Sequence, residues 1–313
     1  MLVVDKPAGA TSFDVVRRVQ RLLGGRKAGH TGTLDPMATG VLPVCVGEAT
    51  KIAGLLTAGD KGYVGTGELG IETDTLDTTG AVTTRGEPGD VTREALEQVL
   101  LALRGPQLQT PPAYSAVRKD GERAYERARR GEAVELEPRP IEVLELELVA
   151  WRPPLFEIRL ECSKGTYVRS LVAEVGQRLG CGAALAALRR TRSGPFTLEQ
   201  AVALERLEDR GVEGALLSLD HALSFLPFVV VDAADAERLR KGQAVTPGPA
   251  RPGRLRGGAS PLPSAPSAPL VRLISEGKLV ALGEQREGRL WPRRVFNEVH
   301  EVHEALEDQP PSG

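Results

Sequence analysis

The chain has 313 residues, 41% of them apolar and 4% aromatic. That suits one large domain plus a small one with a sizeable core, and it excludes a fibrous or wholly disordered chain. A formal net charge of −2 and a pI of about 6.2 exclude a uniformly basic polyanion binder. Three cysteines (Cys45, Cys162, Cys181) with no C-x-x-C pair point to core thiols in a reducing compartment rather than a disulfide framework.

MLVV reads as a short buried strand, ended by Asp5-Lys6-Pro7-Ala8-Gly9. Ser12 is expected to cap a helix whose Val15, Val16, Val19, Leu22 and Leu23 form one stripe, with Arg17, Arg18 and Arg21 elsewhere. Gly24-Gly25 stops it. Arg26 to Gly40 reads as one long loop, and loops of that length are often functional. Val41–Val46 is a strand. Residues 61–71 alternate weakly, like a strand with glycines prone to bulges. A turn-forming run, TDTLDTTG, follows.

Thr92 is placed to cap a helix over 93–104, stopped by Gly105-Pro106. The charged segment 118–131 predicts a short exposed helix. Strands follow near 141–151 and 155–162. Tyr167–Leu179 is helical, with Leu171, Val172, Val175 and Leu179 inward, and Gly180-Cys181-Gly182 breaks it. Thr197 and Gln200 form a capping box for a helix to about Leu207. After His221, FVVV, LVRLI and LVALGEQ read as short strands of a small β-barrel. Residues 248–269, rich in Pro, Gly, Ala and Ser, read as a flexible excursion, and the acidic end after Asn297 as a disordered tail.

The average charge hides local concentrations. Residues 1–63 carry eight Lys/Arg against five Asp/Glu, and residues 164–194 carry six against one. No apolar run reaches the roughly 18 residues that span a bilayer, and the N-terminus lacks a basic segment ahead of an apolar one. A soluble cytoplasmic protein is expected.

Two segments could carry chemistry. GHTGTLDPMATG, residues 29–40, gathers three glycines, His30 and Asp35. Asp before Pro is commonly only a turn former. Here, however, the glycines let backbone approach a ligand closely. The pattern is not that of a Walker-type nucleotide loop. Ser163-Lys164-Gly165-Thr166-Tyr167-Val168-Arg169 follows an apolar strand and opens a helix, where amides with Lys164 and Arg169 could hold a phosphate. The alternative is an ordinary strand-to-helix junction. His300 and His303 are spaced i, i+3 without a second ligand pair, so no metal site is expected.

GHTGTLDPMATGVLP, preceded by VVDKPAG and followed by DKGYV, CSKGTYVRSL and LGCGAALAALRR, resembles the TruB family of tRNA pseudouridine synthases. The resemblance covers residues 1 to about 207 in order. Residues beyond look like the small RNA-binding PUA barrel that often follows this domain, with 248–269 as an insertion. The implied fold is α+β, a pseudouridine synthase domain over 1–222 with a twisted mixed sheet. A PUA-like barrel over 223–297 and a tail over 298–313 complete it.

The implied reaction isomerises uridine 55 in the tRNA T-loop to pseudouridine. It breaks N1–C1′, turns the uracil and rejoins it through C5. Neither cofactor nor metal is needed, but an ionised carboxylate is. Asp35 matches the catalytic aspartate and Arg169 its charge partner. Tyr63 matches the tyrosine that stacks on the base, and Tyr167 and Leu188 match the pocket walls. The target base must be extruded, and His30 matches the residue that fills the space it leaves. Asp77 matches a residue near neighbouring nucleotides. Lys164 and Arg189, with Arg190 and Arg192 beside the latter, could meet phosphates. Arg118, Lys119, Arg123, Arg127, Arg129 and Arg130 lie where the family grips RNA, although acidic neighbours interrupt them. Lys6 reads as structural. The expected partner is the tRNA T-arm stem-loop, with no membrane, no nucleotide cofactor and a monomeric protein. Two alternatives stay open: a dyskerin-like enzyme that depends on a guide RNA, and an RNA-folding chaperone, a role that could also coexist with catalysis.

Overall fold

The computed structural model describes residues 1–119, 121–246 and 270–297, without the side chains of Arg118, Lys119 and Arg123. The expected insertion 248–269, the tail and the His300/His303 pair lie outside the described residues.

Strand β1 (Leu2–Lys6) leads to helix α1 (Ser12–Leu22), then β2 (Ala28–His30) and β3 (Thr39–Val46). Ser12 is not the cap of α1. Thr11 is, in a reciprocal box with Asp14. Ser12 is buried instead and turns inward, where its Oγ donates to Leu34 O (3.1 Å) and accepts from Leu34 N (2.8 Å). The long loop expected from Arg26 to Gly40 contains β2, which pairs with β3.

Next come α2 (Ala53–Thr57), β4 (Lys61–Leu69), β5 (Ile71–Thr73) and β6 (Val82–Arg85). Helix α3 (Arg93–Ala102) is capped by Thr92, whose hydroxyl accepts from Ala95 N. Strand β7 (Gly105–Gln109) follows. The segment expected as one helix over 118–131 is a hairpin, β8 (Arg118–Lys119) and β9 (Glu122–Arg123), followed by α4 (Ala124–Arg129). In it Arg130 pairs with Glu122 and Glu132, so acidic neighbours there engage the cations.

The long strands β10 (Arg139–Arg152) and β11 (Leu155–Cys162) precede α5 (Val168–Arg178) and β12 (Ala183–Ser193). Strand β12 had no sequence signal beyond its small residues, yet it lies between β3 and β4. Strands β13 (Phe196–Thr197) and β14 (Val202–Ala203) flank a single helical turn. The Thr197–Gln200 box caps that turn, and the helix proper, α6 (Leu204–Arg210), begins only after β14. The short α7 (Leu219–Ala222) closes this part.

The main sheet has ten strands, eight of them in the order β14-β1-β3-β12-β4-β11-β10-β7, with β2 and β13 attached at its side. β1 pairs parallel with β14 and β3 parallel with β12, while the other pairs are antiparallel, so the sheet is mixed. One cluster packs Leu96 and Leu100 of α3 and Leu171, Val172 and Val175 of α5 on β4, β10, β11 and β12. Another seats Val15, Val16 and Val19 of α1 with Leu204 and Leu207 of α6 on β1 and β3.

Strand β15 (Phe228–Val230), helix α8 (Ala233–Arg240) and strands β16 (Leu270–Ser275), β17 (Lys278–Arg286) and β18 (Arg289–Val295) form the C-terminal unit. Its described strands make a four-stranded sheet in the order β15-β16-β17-β18. Two Glu-Gly pairs, Glu276-Gly277 and Glu287-Gly288, make its two-residue hairpin turns, all four residues with positive φ. This unit shares a core with the N-terminus. Leu279, Leu282 and Phe296 pack in one cluster with Met1, Val3, Val41 and Ile52. A buried ion pair, Arg272 to Asp220 at 2.7 Å, ties the two together. No helix among the described residues is long and apolar enough to cross a membrane.

Candidate active site

The loop between β2 and β3 presents Asp35 to the start of α5. Arg169 is in the first turn of α5 and only 4% of its side chain is exposed. Its Nε donates to Asp35 Oδ2 (2.8 Å) and its Nη2 to Asp35 Oδ1 (3.2 Å). The planar fork of a guanidinium matches the two carboxylate oxygens, so the pair fixes the carboxylate's orientation as well as its position. The remaining donors are also used: Nη1 on Thr75 O (2.7 Å) and Nη2 on Tyr114 O (2.9 Å). Arg169 therefore points into the protein. It does not join Lys164 in a phosphate cradle at the helix start, because its hydrogen bonds end on Asp35, Thr75 O and Tyr114 O inside the protein.

Asp35 differs from its partner in exposure. Its side chain is 35% exposed. The result is a carboxylate held from behind and open in front.

The TDTLDTTG turn backs Arg169. Leu185 of β12 fastens that turn on both sides of Asp77, through Leu185 N to Leu76 O (3.1 Å) and Thr78 N to Leu185 O (2.9 Å). Asp77 Oδ2 lies 3.8 Å from Arg169 Nη1. Its Oδ1 accepts from Thr75 Oγ1, Thr79 N and Thr79 Oγ1. With its side chain 7% exposed, Asp77 faces the guanidinium.

Tyr63, on β4, is buried in the same cluster as Leu34, Ala38, Leu160 and Leu188. Burial pushes its phenol up to about 12, and the Arg190 guanidinium opposes that shift. The charge of Asp35 acts on the phenols of both Tyr63 and Tyr167. Burial also raises Tyr167, whose backbone is clamped by Gln109: Oε1 accepts from Tyr167 N (2.7 Å) and Nε2 donates to Tyr167 O (3.1 Å). Leu188 sits on β12 opposite Gly65 of β4, where a Cβ on residue 65 would meet the Leu188 methyl. The fold thus gathers Asp35, Arg169, Asp77, Tyr63, Tyr167 and Leu188.

His30 ends β2, half-buried, and its Nδ1 accepts from Gly32 N at 3.3 Å. Burial lowers its pKa, helped by the charge of Arg190, so the ring is neutral near pH 7. Lys164 is exposed on the turn before α5. Arg189 is partly exposed and bound to Asp5 (2.7 Å) and Thr39. Neither Asp5 nor Thr39, the partners of Arg189, belongs to the Asp35 group.

Arg190 is not a phosphate contact. It is 1% exposed and its donors end on backbone carbonyls inside the protein. Tyr114, Ser12 and Gln109 hold the site together and were missed in the sequence. The scarcity of aromatics gave some signal for Tyr114, whereas a Ser or Gln in a loop gives none. Among the described residues, no three of His, Cys, Asp and Glu gather where a metal ion could sit.

Family models match consecutive stretches of the chain. They are TruB family pseudouridylate synthase (N terminal domain) over 20–168, tRNA pseudouridylate synthase B C-terminal domain over 169–224, and Pseudouridine synthase II TruB, C-terminal over 227–296. The chain is 43% identical over 305 residues to tRNA pseudouridine synthase B of Stutzerimonas stutzeri, covering 95% of each chain. It is 50% identical over 249 residues to the protein of the same name from Syntrophobacter fumaroxidans, covering 78% of this chain and 81% of the relative. Among solved structures, a Cbf5-Nop10-Gar1 complex holds a chain similar at TM-score 0.69 and 27% identity, covering 95% of this chain and 84% of that one. An H/ACA RNP bound to a substrate RNA containing 2′-deoxyuridine gives the same TM-score at 26% identity, covering 94% of this chain and 84% of that one.

Proposed function

Since the chain belongs to the TruB family of pseudouridylate synthases, we propose that it isomerises a uridine of tRNA to pseudouridine, the target being uridine 55 in the T-loop. The observation that carries this reading is the Asp35 carboxylate, gripped on both oxygens by a buried arginine and yet open in front.

The chemistry asks little else of the protein. The N1–C1′ bond breaks, the uracil turns, C5 bonds to C1′, and the C5 proton is lost while N1 gains one. An anion placed beside the nucleoside can attack or assist at that centre. Asp35 is that anion. Arg169 orients it, and Asp77, behind Arg169, positions the guanidinium rather than touching RNA. Tyr63 supplies a flat face for the uracil. With its phenol at about 12 it stays protonated, which suits stacking better than proton removal. Leu188 and Tyr167 close a slot for a neutral base. The neutral ring of His30 can stack in the space that the extruded base leaves. Lys164 and Arg189 lie outside this group and suit phosphate contacts.

In this reading the enzyme works in the cytoplasm, as a monomer on the T-arm stem-loop, and the unit over 223–297 helps hold the RNA. The likeness to a Cbf5 chain raises the guide-dependent alternative, but the relatives at 43% identity over 95% of the chain carry the name tRNA pseudouridine synthase B. One assay separates them. Purified protein is incubated with a bare T-arm hairpin whose target uridine is tritiated at C5, and tritium release is counted. Release by the wild type and none by Asp35→Asn supports the proposal. Release only when a guide RNA is added overturns it in favour of the alternative. An Asp35→Asn protein that still refolds tRNA would show chaperoning to be a separate property.

A further inference from the structure

The loop that carries Asp35 is held between two buried cations. On one side Lys6, fully buried, donates from Nζ to Ala10 O (2.6 Å), Pro7 O (2.9 Å) and Pro36 O (3.2 Å). On the other, Arg190 donates from Nε to Val41 O (2.7 Å), from Nη2 to Gly32 O (3.2 Å) and from Nη1 to Thr33 O (3.4 Å). Between them Ser12 takes Leu34 O, Ala38 N takes Asp35 O (3.0 Å), and Gly9 N takes Pro36 O (2.8 Å). Every carbonyl from Gly32 to Pro36 therefore has a donor. A segment of Gly and Thr would otherwise be among the looser parts of a protein.

Arg190 does more than fill acceptors. It lies on β12 with Gly40 of β3 as its partner on one side and Tyr63 of β4 on the other. Its guanidinium acts on the Tyr63 phenol and its fork reaches the loop two residues ahead of Asp35. One rigid, planar group thus touches both parts that must meet the same base. A lysine offers its donors from a single point and cannot span these acceptors.

We propose that Arg190 is a positioning residue of the isomerisation: its guanidinium sets the Asp35 loop against the Tyr63 ring so that carboxylate and ring address one nucleoside. The inference rests on the roles given to Asp35 and Tyr63 above. A residue needed only for folding would affect melting and leave the chemical step alone.

The full chain with Arg190→Lys tests this. Melting temperature, hairpin affinity and the single-turnover rate constant for tritium release are measured, each also in a Tyr63→Phe background. The expected result is a folded protein whose hairpin affinity changes less than about threefold. Its rate constant should fall by about 100-fold, the loss that a misplacement near 1 Å produces. Tyr63→Phe should cost less in the Arg190→Lys background than alone, because the two act as a unit. A folded Arg190→Lys protein with a rate within about threefold of wild type, or effects that simply multiply, would overturn the inference. Hydrogen exchange on the unaltered protein decides the case if the variant does not fold. Slow exchange at the Leu34 and Ala38 amides supports the clamp, and exchange at open-loop rates overturns it. If the wild type releases no tritium, the functional reading fails instead, and the exchange result still judges the clamp.

Discussion

Asp35 and Arg169 face each other, but losing one should not cost what losing the other does. Arg169 is 4% exposed and Asp35 is 35% exposed. Replacing Arg169 by Met removes two bonds to Asp35, the donors to Thr75 O and Tyr114 O, and the cation 3.8 Å from the buried Asp77. Breaking a buried charge pair from one side costs roughly 3–5 kcal/mol, mostly through the partner left behind. Asp35→Asn keeps the shape and one acceptor and leaves Arg169 its other partners, Thr75 O, Tyr114 O and the charge of Asp77, so about 1 kcal/mol is expected. At roughly 2–4 °C per kcal/mol, Arg169→Met should melt about 10 °C low and Asp35→Asn only about 2–4 °C low.

Activity should rank the other way. Asp35→Asn should make no product while binding the hairpin within about tenfold of wild type, since the carboxylate acts in the chemical step. Arg169→Met should retain a trace, the carboxylate being present but unanchored. Thermal and urea unfolding of both variants, beside single-turnover tritium release, give all four numbers. Equal melting temperatures for the two variants, or wild-type melting for Arg169→Met, would refute the view that Asp35 is supported from behind by a buried cation.

Gly40 has φ of 102°, and a Cβ there would run into the backbone of Arg190; Gly40→Ala should destabilise by about 3 kcal/mol or more, read by urea unfolding. Burial draws Lys6 and Lys61 down to about 8 from the ordinary 10.5. Above pH 8 the unfolded chain therefore holds more protons, and stability should rise with pH. Above pH 9 the buried thiols of Cys45, up to about 11, and Cys162, up to about 12, work in the opposite sense. Urea unfolding should show a rise from pH 8 to 9 that levels off beyond, and a fall across pH 8–9 would contradict it. Phe296 of the C-terminal unit is 2% exposed in a cluster with Met1 and Val3. Phe296→Ala should cost about 3–5 kcal/mol and lower the melting of the whole chain, and a calorimetric scan with an unmoved main transition would show the cluster to be unimportant.

Much of the fold was legible where local rules suffice. Weak alternation marked β4, strands were read near the places of β10 and β11, and Thr92 announced the start of α3. The ordered run from VVDKPAG to LGCGAALAALRR pointed to Asp35, Arg169, Tyr63, Tyr167 and Leu188 before any coordinate was known. Local rules failed where a side chain had two uses. Ser12 and Thr11 are both good caps, and Ser12 lost that role because Leu34, 22 residues away, offers it a backbone pair. Strand β12 was hidden because small residues carry little strand preference; its place between β3 and β4 comes from pairing across the sheet.

The sequence by itself determined the chemistry available: one acid in a glycine-rich loop, one arginine opening a helix, and tyrosines where a base could stack. It also determined the extents of α1, α3 and α5, because those follow from the residues nearest in the chain. The tertiary structure alone decided which charges act together. Arg169 and Asp35 are 134 positions apart, and Arg190 and Gly32 are 158. A buried cation is tolerated only where distant backbone and carboxylate groups converge on it, and that convergence is a property of the folded sheet.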